Sequence, residues 1–133
     1  MSAQDNLSQK QFKTTSYKAN VYDDDDNPTL TTIKKITMHV GGQPVGHVKY
    51  APIEDESHIQ WLETAPEHRG KGYAKEIMNE VYKRTPGVVN WSKTMHPASE
   101  HLAKQFKDIH PEKTEYEDNQ ESNPQIARYR AGL

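Results

Sequence analysis

The sequence predicts an α/β protein of the α+β kind: four antiparallel strands, then a strand–helix–strand crossover that sets strands 4 and 5 parallel. Three observations point there. Apolar and polar residues alternate with period two through much of residues 17–64. At Gly72 the period lengthens to nearly four, with Tyr73, Ile77 and Val81 on one helical stripe and Ala74, Met78 and Tyr82 beside it. A second strand-like run, residues 88–95, follows after a helix of crossover length, which returns the chain parallel to the strand it left.

The elements follow in order. Residues 1–15 are polar and aperiodic and read as a flexible arm. "SYKANVY" is a short strand, and "DDDDNP" ends it in a turn-forming, self-repelling loop. In "LTTIKKITMHV", Leu30, Ile36, Met38 and Val40 share one alternating face. "GGQP" turns the chain into "VGHVKYA", and a turn this short implies an antiparallel hairpin. "HIQWLETA" is the fourth strand, with Ile59, Trp61 and Glu63 expected on one face and Leu62 and Thr64 on the other. The helix from Gly72 stops at "TPG". "VVNWSKTM" is the fifth strand, and "PASEHLAKQF" is a second helix opened by Pro97, with Leu102 and Phe106 one turn apart. Beyond that, "PEKTEYEDNQESNP" reads as loop and "QIARYRAGL" as a late strand at most. Large strand aromatics such as Trp61 and Trp91 are expected in the core.

Composition narrows the function classes. At 133 residues, 32% hydrophobic and with a mean hydropathy of −1.05, the chain holds one domain whose ends do not all pack. A formal charge of −2, with basic residues interspersed among acids, gives no broad field for phosphate backbones, so no nucleic-acid partner is expected. The absence of cysteine excludes disulfides, thiolate zinc sites and cysteine nucleophiles. The histidines form no H-E-x-x-H pair, and no metal site is expected. No apolar run approaches the ~20 residues of a membrane span, and the first residues lack a signal peptide's apolar centre. A cytoplasmic protein without membrane partners is the expectation.

The chemistry concentrates in "WLETAPEHRGKGYAKEIM". Two glycines sit where the fourth strand becomes the first helix. The first turn of a helix leaves backbone N–H groups without partners at the positive end of its dipole, so a strand-to-helix turn lacking side chains brings those donors against an anion. Arg69 and Lys71 add charge, and Ala74 keeps the next turn narrow. The spacing fits neither a Walker loop nor the three-glycine dinucleotide fingerprint.

This segment resembles the acyl-CoA pyrophosphate loop of the GNAT family of N-acetyltransferases, whose pattern is [RQ]-x-x-G-x-[GA] after the fourth strand. Here Arg69, Gly70, Lys71, Gly72, Tyr73 and Ala74 occupy it, and element order agrees over residues 17–108. The resemblance implies acetyl-CoA as acyl donor. It places Leu62, Thr64, Arg69, Gly70, Lys71, Gly72, Tyr73 and Ala74 against that donor, and Glu63 as the catalytic carboxylate that accepts the amine's proton directly or through water. Family members often carry a proton-donating tyrosine on the helix after the fifth strand. Ala103 stands at that position here; His101 is the stand-in, with His96, Ser92 and Tyr73 as alternatives, and a thiolate can also leave unassisted.

The resemblance implies a domain at residues 16–108, with the arm 1–15 before it and a polar tail 109–133 after it. The family usually inserts helices between its first two strands, and only "DDDDNPT" joins them here. The acceptor side is therefore expected to be open and rimmed by Asp23 to Asp26, which suits a protein lysine or N-terminus as acceptor; homodimerisation stays open. The competing class is a catalytically weak or inactive relative that binds CoA or a protein partner through its acidic loop and tail. Turnover of acetyl-CoA against an amine panel, beside direct CoA binding, separates the two.

Overall fold

The structure, a computed structural model, describes residues 9–22, 25–91 and 97–116. Six strands in sequential order make one sheet: β1 (Lys10–Tyr22), β2 (Pro28–Val40), β3 (Gln43–Ile53), β4 (Glu56–Thr64), β5 (Val89–Asn90) and β6 (Thr114–Glu115). Strands β1 to β4 pair antiparallel, and β4–β5 and β5–β6 pair parallel. Helix α1 (Tyr73–Arg84) carries the chain from β4 to β5, and α2 (Pro97–Ile109) from β5 to β6. The α+β class, the mixed sheet and the parallel β4–β5 pair agree with the sequence reading.

Both helices lie on one face of the sheet, as two right-handed crossovers in the same direction require. That inner face holds the core, where Ile36, Met38, Val48, Tyr50 and Ile59 meet Ile77, Met78, Val81 and Tyr82 of α1. Phe106 of α2 stacks on Tyr82 at 4.7 Å between ring centroids and tilts against Trp91 at 5.8 Å. The aromatic cluster therefore joins the two helices to β5. Its polar atoms are paired: the Trp91 indole donates to the Tyr82 hydroxyl at 2.9 Å, and that hydroxyl lies 2.7 Å from Thr114 Oγ1. Burial raises the Tyr82 phenol above its ordinary pKa, keeping it neutral and able to serve both neighbours.

Several boundaries differ from the sequence reading. Strand β1 begins at Lys10, inside the stretch read as a flexible arm, because its backbone pairs with β2 from Lys10↔Val40 onward and Phe12 reaches the core. Ladder hydrogen bonds use backbone groups, so a polar stretch can join them without an apolar pattern of its own. Strand β6 lies in the stretch read as loop, held by Val89 N–H to Lys113 O and Trp91 N–H to Glu115 O, both 2.8 Å. The late strand expected in "QIARYRAGL" lies outside the described residues. Leu30, read as part of the core face, is exposed on the part of the β1–β2 hairpin that runs beyond β3.

Among the described residues, no helix is long and apolar enough to cross a membrane. The connection from β1 to β2 spans only residues 23–27, too short to hold the helices the family usually inserts there. Asp23 and Asp24 lie outside the described residues.

The buried hydroxyl network generates a stability prediction. Tyr82→Phe leaves the Trp91 N–H without its acceptor while preserving ring packing, and should cost about 1–3 kcal/mol. Urea unfolding followed by tryptophan fluorescence measures it, and a loss below about 0.5 kcal/mol would show that the network adds little.

Candidate active site

The site grows from an irregularity in β4. Its register with β3 shifts, so that Lys49 faces Trp61 and Tyr50 faces Ile59, leaving Gln60 unopposed. An extra residue in one strand turns every later side chain to the other face. Ile59 is accordingly in the core, while Trp61 is 56% exposed and Leu62 packs inward. The sequence reading that set Ile59, Trp61 and Glu63 on one face fails at this bulge. Trp61 is not a core residue, whereas Trp91 is fully buried as expected.

Beyond the bulge the rows are regular. Ile36, Val48 and Leu62 align across β2, β3 and β4 on the inner face. By alternation Thr37, His47 and Glu63 align on the outer face, beside a row of Lys35, Lys49 and Trp61. The Trp61 indole donates to Glu63 Oε2 at 3.0 Å. That bond, helped by the charges of His47, Arg69 and Lys49, holds the Glu63 carboxyl below its ordinary pKa despite some desolvation. Burial, aided by Lys35 and Lys49 and opposed by Glu63, pushes His47 below its ordinary value. A neutral imidazole thus stands directly opposite a firmly ionised carboxylate.

Where β4 ends, the chain makes one short 3₁₀ turn, Pro66–His68, and enters α1 through Gly70 and Gly72, at φ 82° and 81°. Gly72 is the N-cap residue, and among the described residues the first helical N–H with a partner is that of Glu76, bonded to Gly72 O at 3.2 Å. The N–H groups of Tyr73, Ala74 and Lys75 precede it, at the positive end of the helix. A Cβ built on either glycine would meet nothing within 4 Å. The left-handed backbone is one reason for glycine at both positions, and the open space above them leaves room for a ligand.

Around this loop Arg69, Lys71 and Lys75 stand against the acids Glu67 and Glu76. Arg69 folds back to donate from Nε to Thr64 O at 3.1 Å, and Lys71 and Lys75 are exposed nearby in sequence. The acid of the first helical turn, Glu76, is met by Lys10 at 2.6 Å, which ties β1 to α1 and offsets that carboxylate's charge. Helix α1 sits close to β3 because Gly46 lies beneath it: a Cβ there would stand 2.8 Å from Glu63 O and 3.0 Å from Ile77 Cδ1.

The β4–β5 ladder contains Ser57↔Val89 and His58↔Asn90 and goes no further among the described residues. From Ile59 to Thr64, β4 keeps β3 on one side while its other edge runs on toward the glycine turn. A free strand edge that ends at a helix N-terminus offers amide partners to an extended ligand and an anion seat at its end.

The sequence model of the acetyltransferase (GNAT) family matches residues 3–107. The chain belongs to this acetyltransferase family. No curated protein matches it in sequence. Among solved structures, that of a nourseothricin acetyltransferase is 17% identical with a TM-score of 0.41, covering 60% of this chain and 71% of that one.

Of the residues singled out in this GNAT chain, Leu62, Glu63 and Thr64 fall on the C-terminal half of β4, and Arg69, Gly70, Lys71, Gly72, Tyr73 and Ala74 form the turn that follows and the start of α1. His101 is exposed on α2, with its ring nitrogen 3.3 Å from Gln105 on the same helix. Ser92 and His96 lie outside the described residues. His47 was missed, because only the register of β3 against β4 sets it opposite Glu63; the period-two pattern of "VGHVKYA" already put it on the polar face.

The acidic rim expected from Asp23 to Asp26 is corrected by topology for its two described residues, Asp25 and Asp26. Strand β2 runs from the hairpin tip toward the site, and Pro28 lies nine residues from Thr37, the β2 neighbour of His47. At a strand rise of ~3.3 Å this separates the tip from Glu63 by about 30 Å. Asp25 and Asp26 therefore do not line the site, and replacing both with Asn should leave KM for a basic acceptor unchanged at low salt. A rise in KM that added salt abolishes would contradict this placement.

The loop yields a second prediction. Gly72→Ala imposes left-handed strain of about 1–2 kcal/mol, and Gly72→Val adds bulk above the amides. Both should weaken CoA binding measured by calorimetry, Val by more than about tenfold and further than Ala. Equal affinities in folded Ala and Val variants would show that the space above the turn is not where the ligand lies.

Proposed function

We propose that the protein transfers the acetyl group of acetyl-CoA to an amine carried on a protein or peptide. The observation that carries this reading is the glycine turn itself, where the amides of Tyr73, Ala74 and Lys75, without a partner among the described residues, sit at the end of β4, whose 59–64 edge no described strand covers. The residues fit the donor: the amides at 73–75 with Arg69 and Lys71 would hold the pyrophosphate, and the 59–64 edge would pair with the amide-bearing pantetheine arm. Bound there, acetyl-CoA would supply a thioester as acyl donor.

The acceptor side belongs to the chain's own residues. Glu63, ionised and braced by Trp61, presents a fixed negative charge on the outer face. The exposed indole beside it can receive a cation on its ring face, the usual partner of an ammonium. With the β1–β2 connection too short for the usual inserted helices, no such helix walls this face, so a small amine would gain little buried contact and a macromolecular acceptor would bring its own surface.

The test is kcat/KM for a lysine-containing basic peptide against a small polyamine, with and without Glu63→Gln. The peptide should be preferred, and the substitution should raise its KM by about tenfold with CoA affinity unchanged, since a charge is lost and no fold contact is removed. Preference for the polyamine would overturn the protein-acceptor reading. CoA binding without turnover of any amine would instead favour a non-catalytic CoA-binding module.

A further inference from the structure

We propose that His47 is the proton acceptor of the reaction, taking a proton from an acceptor ammonium that Glu63 and Trp61 hold on the outer face of the sheet. The inference rests on the acetyl-transfer reading above and names the base for that same site. His47 and Glu63 are cross-strand partners in the antiparallel β3–β4 pair. Directly opposed residues of such a pair have Cβ atoms about 4.5–5.5 Å apart, so a cation resting on the Glu63 carboxylate is within reach of the imidazole.

The surrounding groups set the division of labour. On β2, Thr37 flanks His47 and Lys35 lies in the next row; on β3 itself stands Lys49; on β4 stand Glu63 and Trp61; and beyond Thr37, β1 brings Lys13. Burial and Lys35 hold the imidazole neutral at physiological pH against the pull of Glu63. The Trp61 N–H keeps Glu63 ionised, which makes it a good seat for a cation and a poor proton acceptor. For an amine with a pKa near 10.4, transfer to an ordinary imidazole is uphill by about four units, and to an ordinary carboxylate by about six. Efficient general bases lie nearer the operating pH, which favours the histidine.

The step balances. One N–H proton of the ammonium passes to the neutral imidazole, giving an imidazolium and a free amine. The amine nitrogen forms a bond to the thioester carbonyl carbon, the C–S bond breaks with its electron pair going to sulfur, and the second proton lost from nitrogen ends on the thiolate. The imidazolium then returns its proton to water. His101, on α2 with Gln105 as its partner, is not needed for either transfer.

The test uses the full chain with acetyl-CoA and a lysine peptide. The wild-type pH profile of kcat should show an acid limb with its inflection below 6.5, the ordinary histidine value, because the active form is the neutral one. His47→Gln should abolish that limb and lower kcat by about 10²-fold, while calorimetric CoA affinity stays within about twofold. Added imidazole should restore part of the rate to His47→Ala. As a measurement independent of the variants, the His47 ring resonance in wild-type protein should titrate below 6.5 and shift when peptide saturates. Wild-type kcat and an unchanged acid limb in CoA-binding variants, or a His47 that titrates at or above 6.5, would overturn the assignment and leave acetyl transfer standing. Absence of turnover in the wild-type protein would overturn the reading beneath it, and the proposal with it.

Discussion

One unopposed residue, Gln60, decides how this molecule presents its chemistry. Opposite Lys49 and Tyr50 the β4 ladder slips by a single position. Before the slip, Ser57 and Ile59 point into the core; after it, Leu62 and Thr64 take the inner side, and Trp61 and Glu63 emerge on the outer face. Without the bulge the same sequence would bury a glutamate and a tryptophan beneath α1 and leave Leu62 in water. An ionised carboxylate without a partner in that core would be untenable, so register and charge placement reinforce one another.

The bulge also divides β4 by neighbour. Its first half is clamped between β3 and β5, while its second half pairs with β3 alone among the described residues and ends in the turn to α1. Gly46 lets the helix and the end of β4 close over β3, and the left-handed Gly70 and Gly72 bring the start of α1 round to the strand end. Strand edge, helix amides and the outer-face acid then lie within one short stretch of chain, residues 59–76. The aromatic cluster of Tyr82, Trp91 and Phe106 joins the C-terminal end of α1 to α2 and to the chain just after β5.

Much of this was legible in the sequence where periodicity is long and uninterrupted. The α1 stripe of Ile77, Met78, Val81 and Tyr82 is the buried one, and the turn residues 70–74 fall where the motif placed them. Legibility failed wherever the outcome depended on a partner strand. A bulge leaves no trace in one strand's own alternation, so Trp61 was read into the core. The polar β1 residues from Lys10 onward join the sheet through backbone bonds that their side chains do not announce. The acidic loop was recognised as a turn, but its distance from Glu63 follows only from strand direction. His47 gained meaning only once β3 and β4 were in register.

The central claim is that the β4 edge and the glycine turn together receive acetyl-CoA. The most direct measurement is a backbone amide NMR titration of the full chain with CoA. The account predicts saturable shifts concentrated at residues 59–64 and 70–76, with the amides of Tyr73 and Ala74 among the largest and β1 and β2 near the hairpin tip unmoved. Shifts confined to α2 and the hairpin, or none at CoA concentrations that saturate other members of the family, would contradict it.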